Sequence, residues 1–154
     1  MKPVSANFEF LGKHDAQLVR LGALAERYFK DDPNTSLIKL RQFGEVLAQL
    51  TAAKAGLLAS PEEPQADLLR RLKFERVVPR EAGELFYQLR IAGNLAAHAQ
   101  TGDYAEALST LKIARQLGIW FERTFGDARF SAGAFAPPSP PVVLSSLSIG
   151  PSWS

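Results

Sequence analysis

Four long stretches of this chain repeat apolar residues at spacings of three and four, and each is bounded by residues that helices accept only at their ends. From Asp15, a plausible capping residue, Leu18, Leu21, Leu24, Ala25, Tyr28 and Phe29 keep helical spacing until Asp31-Asp32-Pro33 stops the run. Asn34 is placed to cap a second helix with Leu37, Leu40, Gly44, Leu47 and Leu50 on one stripe, widened by Ile38, Phe43 and Val46. A stripe that broad predicts a central helix buried on more than one side. Gly44 disfavours a helix interior by about 1 kcal/mol relative to alanine, so its presence there points to close helix approach. Gly56 ends this helix, and Ser60-Pro61-Glu62-Glu63-Pro64 reads as a polar loop before a short helix over 65–74 carrying Leu68, Leu69 and Leu72. Pro79 then opens a third long helix, whose Leu85, Phe86, Leu89, Ala92 and Ala96 share a face, and Thr101-Gly102-Asp103 closes it. Asp103 caps a last helix running to about Phe125, with Leu108, Leu111, Ala114, Leu117, Trp120 and Phe121. No strand signal interrupts this series, so the expected fold is an all-α antiparallel bundle of four main helices plus one short helix.

The ends of the chain read differently. Phe8, Phe10 and Leu11 can pin an extended N-terminal arm to the body. After Gly126 the helical period is lost and Pro137-Pro138 and Pro140-Pro141 follow closely, so the division expected is a bundle over 1–126 and a tail or linker over 127–154, with Val142, Val143, Leu144 and Ile149 able to dock locally. A length of 154 residues suits one core rather than two. No apolar run approaches the roughly 20 residues that span a bilayer, and no signal-like segment or cysteine suggests export, which leaves a cytoplasmic protein as the expectation. With no cysteine and only His14 and His98 as histidines, neither a metal site nor another cofactor is expected. A net charge of +2 is too slight to imply nucleic-acid binding by itself.

Phosphate loops of the GxxxxGK[ST] type, the GxGxxG fingerprint, HExxH and GxSxG are all absent, and the Glu62-Glu63 pair sits in a loop with nothing evident to organise it. The remaining candidate is a polar stripe on the third long helix. Arg90, Asn94 and His98 stand four apart, one above another beside the apolar face. A histidine can serve as general acid or base, an arginine can stabilise a phosphate and an asparagine can hold the ring, a set suited to metal-independent RNA cleavage in which the 2′-hydroxyl attacks the adjacent phosphate. The structural alternative is that His98 sits at a helix C-terminus, where positive charge is favoured, while Asn94 ties the helix to a neighbour. Arg41 has two readings as well, an i,i+4 partner for Glu45 or a side chain crossing to the stripe. Arg70, Arg71, Lys73, Arg76 and Arg80 form the most basic stretch, either a solvated helix face or a patch contacting phosphates. The broad apolar girth of the last helix, including Ile113 and Trp120, suits core packing or cover by another subunit.

Several blocks together carry a resemblance. Residues 32–45 (Asp-Pro-Asn-Thr-Ser-Leu-Ile-Lys-Leu-Arg-Gln-Phe-Gly-Glu), 67–72 (Asp-Leu-Leu-Arg-Arg-Leu), 89–98 (Leu-Arg-Ile-Ala-Gly-Asn-Leu-Ala-Ala-His) and 118–121 (Gly-Ile-Trp-Phe) look like the helical domain at the N-terminus of many type I restriction enzyme R subunits, over roughly residues 5–130. That domain is similar to the HEPN superfamily of helical bundles, many of which dimerise and some of which are ribonucleases. Its active nucleases carry an arginine followed at once by a polar residue, then three residues and a histidine. Asn94 and His98 match the last two; Gly93 stands at the arginine position, and Arg90 lies about one turn earlier. The resemblance therefore implies a retained fold with a degenerate site: a non-catalytic assembly or regulatory module of a phage-defence system, whose partners would be a second copy or other restriction-modification subunits. It implies two alternatives, a HEPN-type endoribonuclease using His98 and Asn94 with Arg90 or Arg41, and a nucleic-acid-binding module. In an R subunit, ATP-dependent DNA translocation and cleavage reside in further domains that these 154 residues do not include. The chain then fits either an N-terminal piece of such a subunit or a stand-alone relative whose Pro-rich segment replaces the remainder.

Overall fold

A computed structural model describes residues 5–57, 60–99 and 101–138. All regular structure among them is helical: a 3-10 turn at Glu9–Leu11, then α1 (Ala16–Tyr28), α2 (Pro33–Lys54), α3 (Gln65–Phe74), α4 (Arg80–Ala99) and α5 (Tyr104–Phe125). Short acidic side chains start three of these helices. Asp15 accepts the N–H of Gln17 at 2.8 Å, Asp32 that of Thr35 at 3.2 Å and Asp103 that of Glu106 at 2.8 Å, each satisfying one of the donors a helix N-terminus leaves free.

The start of α2 departs from the expectation drawn from the sequence. Asp32 is the cap and Pro33 the first helical residue, so the proline opens α2 rather than merely closing α1. Proline suits that position because its missing N–H would have had no partner there. Asn34, freed from capping, accepts the N–H of Gly102 at 3.1 Å and pins the turn between α4 and α5 to the beginning of α2.

Helix α2 is the axle of the bundle, packing against α1, α3, α4 and α5. Its Leu37, Leu40, Phe43, Leu47, Ala48 and Ala52 are buried, which is why its apolar stripe is broad. Ser36 donates to the Ala25 carbonyl of α1 at 2.8 Å, and Gln65 of α3 donates to the Gly44 carbonyl at 3.3 Å. At Gly44 a Cβ would lie 3.2 Å from a Leu89 methyl, the close approach that the glycine suggested.

The N-terminal arm is part of the core rather than an extended clamp on it. Phe8 and Leu11 are wholly buried, and the Phe8 ring stands 5.0 Å from that of Phe43. Phe8 lies so close over Gly22 of α1 that a Cβ there would meet its ring at 2.4 Å.

Residues 127–138 form no helix but are laid against the body. The buried Asn7 exchanges two hydrogen bonds of 2.8 Å with the backbone of Ala136. The Phe130 ring stacks on Phe10 at 4.7 Å, while Arg123 and Arg115 donate to the carbonyls of Phe130 and Gly133. Val142, Val143, Leu144 and Ile149 lie outside the described residues.

Candidate functional site

The polar stripe lies where α2 crosses α4, and the crossing is set by a glycine. At Gly93 a Cβ would stand 2.3 Å from the Cβ of Arg41, with the Arg41 Cγ and Cδ at 3.0 and 3.1 Å. These are the root of a side chain and not its flexible tip, so α4 accommodates no side chain at 93 while α2 keeps its place. The Arg41 stem fills that space, and its Nη1 donates to Asn94 Oδ1 at 3.3 Å. Its Nε lies 3.7 Å from Glu45 Oε2. Both readings of Arg41 are thus realised: it stays beside its i,i+4 neighbour and also crosses to the third long helix.

The three stripe residues turn to different neighbours. Asn94 faces α2 through Arg41. Arg90 turns toward α3: its guanidinium sits over the Tyr87 ring, 5.6 Å from the centroid, and its Nε is buried without a hydrogen-bond partner. His98, in the last turn of α4, is exposed and forms no hydrogen bond or ion pair among the described residues. No hydrogen bond joins any two of the three. Asn94 therefore ties its helix to a neighbour, and His98 stands in the last turn of α4.

The basic stretch also divides. Arg71 is held by Glu63 through two bonds of 2.9 Å, which raise its already high pKa. This corrects the view of Glu62-Glu63 as an unorganised loop pair, because Glu63 anchors the loop to α3 by a bidentate contact. Arg76 follows α3 in the left-handed region at φ 62° and points to solvent, as Arg80 does at the head of α4. Arg70, which pairs with Asp67 at 2.9 Å, and Lys73 instead line a groove between α3 and α4, together with Tyr87 and Arg90.

A second polar centre was not singled out from the sequence. Glu122 of α5 is completely buried, yet it is ionised. Burial alone would raise its pKa, but Lys13 and His14 at 2.7 Å and the Asp127 N–H at 3.0 Å outweigh that and hold it down at about 2. His14 also sits edge-on to Phe121, 5.0 Å between centroids. The centre binds the N-terminal arm, the end of α5 and the segment beyond it into one knot, and its enclosure gives it a structural role. The signal for it lay in the spacing: Glu122 continues the buried stripe of Leu111, Ala114 and Gly118.

Comparison with known proteins agrees with the block resemblance. Over 120 residues, 77% of the chain, the sequence is 38% identical to the type I restriction enzyme EcoKI endonuclease subunit of Escherichia coli K12. The chain is thus a relative of a type I restriction endonuclease subunit, its regular structure among the described residues being helical, and the matched stretch is 10% of that subunit's length. No protein-family description matches the chain, and no solved structure matches it. No described helix is long and apolar enough to cross a membrane.

Proposed function

We propose that the chain is a non-catalytic, HEPN-like helical module of a type I restriction system, serving assembly or regulation of the endonuclease subunit. The observation that carries this reading is the packing at Gly93. The position where the resembled nucleases carry their phosphate-binding arginine is filled by the stem of Arg41, and the guanidinium of that residue is engaged with Asn94. A bundle stripped of that chemistry but kept as a fold is suited to holding other parts together. Its partners under this reading are the other restriction-modification subunits or a second copy of the chain.

Co-expression with the modification and specificity subunits of a type I system from the same genome tests it. The chain is expected to co-elute with them on size exclusion, or as a dimer that joins them; elution as a free monomer in their presence, at micromolar concentration, contradicts the reading.

One observation favours the ribonuclease reading. Arg41 reaches Asn94, and His98 stands one turn further along the same helix with its ring open to solvent. Under that reading His98 serves as the acid or base and Arg41 replaces the arginine missing at 93, so cleavage would depend on both.

A further inference from the structure

The groove between α3 and α4 takes in Arg90 from the polar stripe and has a composition that the assembly role does not use. Its floor is apolar, formed by Ala66, Leu69 and Gly83, and it encloses about 260 Å³. Its rim carries Arg70 and Lys73 from α3, and Tyr87 and Arg90 from α4; no carboxylate lines it. The Lys73 stem lies across α4 at Gly83, its Cδ at ordinary contact distance from where a Cβ would stand. Tyr87 is 49% exposed, a large aromatic ring with Arg90 over one face and Arg70 and Lys73 on the same groove. The Arg90 guanidinium is steadied over the Tyr87 ring, while its buried Nε has no acceptor.

Three cations lining a groove with a half-exposed aromatic ring match the chemistry of single-stranded nucleic acid, whose phosphates take the cations and whose bases stack on the ring's exposed side. An acidic peptide would use the charges but leave the tyrosine face idle, and a duplex hides its base faces in the stack. We propose that the α3–α4 groove binds single-stranded nucleic acid, with one base stacked against Tyr87 and the flanking phosphates held by Arg70, Lys73 and Arg90. Asp67, the partner of Arg70, lies outside the groove lining, so Arg70 can turn from it to a phosphate at little loss. The site is independent of the assembly role: co-elution with restriction subunits can fail while the groove still binds, and the reverse.

The test is fluorescence anisotropy of the full chain with a labelled oligodeoxythymidylate of about 12 nucleotides, a length within the range of small single-strand sites. Binding is expected to weaken as salt rises, with a log–log slope of about −2 for three phosphates on a single strand. Lys73→Glu should weaken binding at least about 10-fold, whereas Lys30→Glu, an equal charge change at an exposed residue of the α1–α2 turn, should leave it within about 2-fold. Tyr87→Ala should lose about 5-fold or more and Tyr87→Phe should bind like the parent, because stacking needs the ring and not the hydroxyl. Equal losses in Lys73→Glu and Lys30→Glu overturn the proposal, as do an unaffected Tyr87→Ala, tighter binding to the matching duplex, or no binding at low salt. Displacement of the oligonucleotide by polyglutamate as readily as by unlabelled oligothymidylate would assign the groove to acidic peptides instead.

Discussion

Replacing Gly93 with alanine is expected to destabilise the fold by about 2 kcal/mol, although the same change in an open helix would stabilise it by about 1 kcal/mol. The added carbon would stand 2.3 Å from the Arg41 Cβ, so α2 and α4 must part, and the contact between Gly44 and Leu89 opens with them. For a chain of this size the melting temperature should fall by about 4–8 °C. Gly93→Arg, which would restore the arginine of the resembled motif, should be worse, since it adds a long cation at the same closed point. The cause is separable from a general intolerance of α4 by a double-mutant cycle. In an Arg41→Gly background the obstructing carbon is gone, and Gly93→Ala should then be neutral or stabilising. An undiminished loss in that background would show that the Arg41 stem is not what excludes a side chain at 93.

The second large effect is expected at Glu122. Glu122→Ala leaves His14 and Lys13 without their carboxylate and the Asp127 N–H without its acceptor, and should destabilise by about 3 kcal/mol, at the low end for a broken buried pair because Lys13 remains well hydrated. Chemical denaturation at neutral pH measures it. The same centre gives the fold an acid limit. Glu122 ionises at about 2 in the folded chain against 4.5 ordinarily. Its lowered folded pKa contributes stability that is fully present above pH 4.5 and is lost as pH falls through that value toward 2, about 3 kcal/mol in all. Burial raises the pKa of Glu26 against the opposing hydrogen bonds from Ser5 and Asn7, so its protonation on acidification acts in the opposite sense. Comparing the parent with Glu122→Gln isolates the Glu122 contribution: the acid-induced loss should be much shallower in the variant. Parallel stability curves from pH 6 to pH 3 would remove Glu122 from the account.

These two positions also mark what the sequence made legible. The five helices could be read from apolar spacing and from Asp15, Asp103 and Gly56, because caps and breakers act locally and leave local signals. Pro33 misled in detail, since a proline ends one helix and begins another by the same missing N–H, and only the position of Asp32 decides. The depth of Phe8 and Leu11 was hidden because it depends on glycines of other elements, Gly22 of α1 beneath Phe8 and Gly118 of α5 beneath Leu11. The stripe of Arg90, Asn94 and His98 lies on one helix, as its spacing implied. Spacing on one helix fixes which face residues share, whereas the partner of Asn94 comes from α2. Glu122 was missed for a related reason. A lone acidic residue on an apolar stripe is rare enough to question, but its cations sit more than a hundred positions away.

The central claim is that the polar group at the α2–α4 crossing has a structural role and is not catalytic. Incubating the nuclease-free full chain with labelled single-stranded RNA in the presence of a chelator, beside the His98→Ala variant, tests it most directly. The account predicts no cleavage above the buffer control and no difference between the two proteins; RNA cleavage by the parent that His98→Ala abolishes would contradict it.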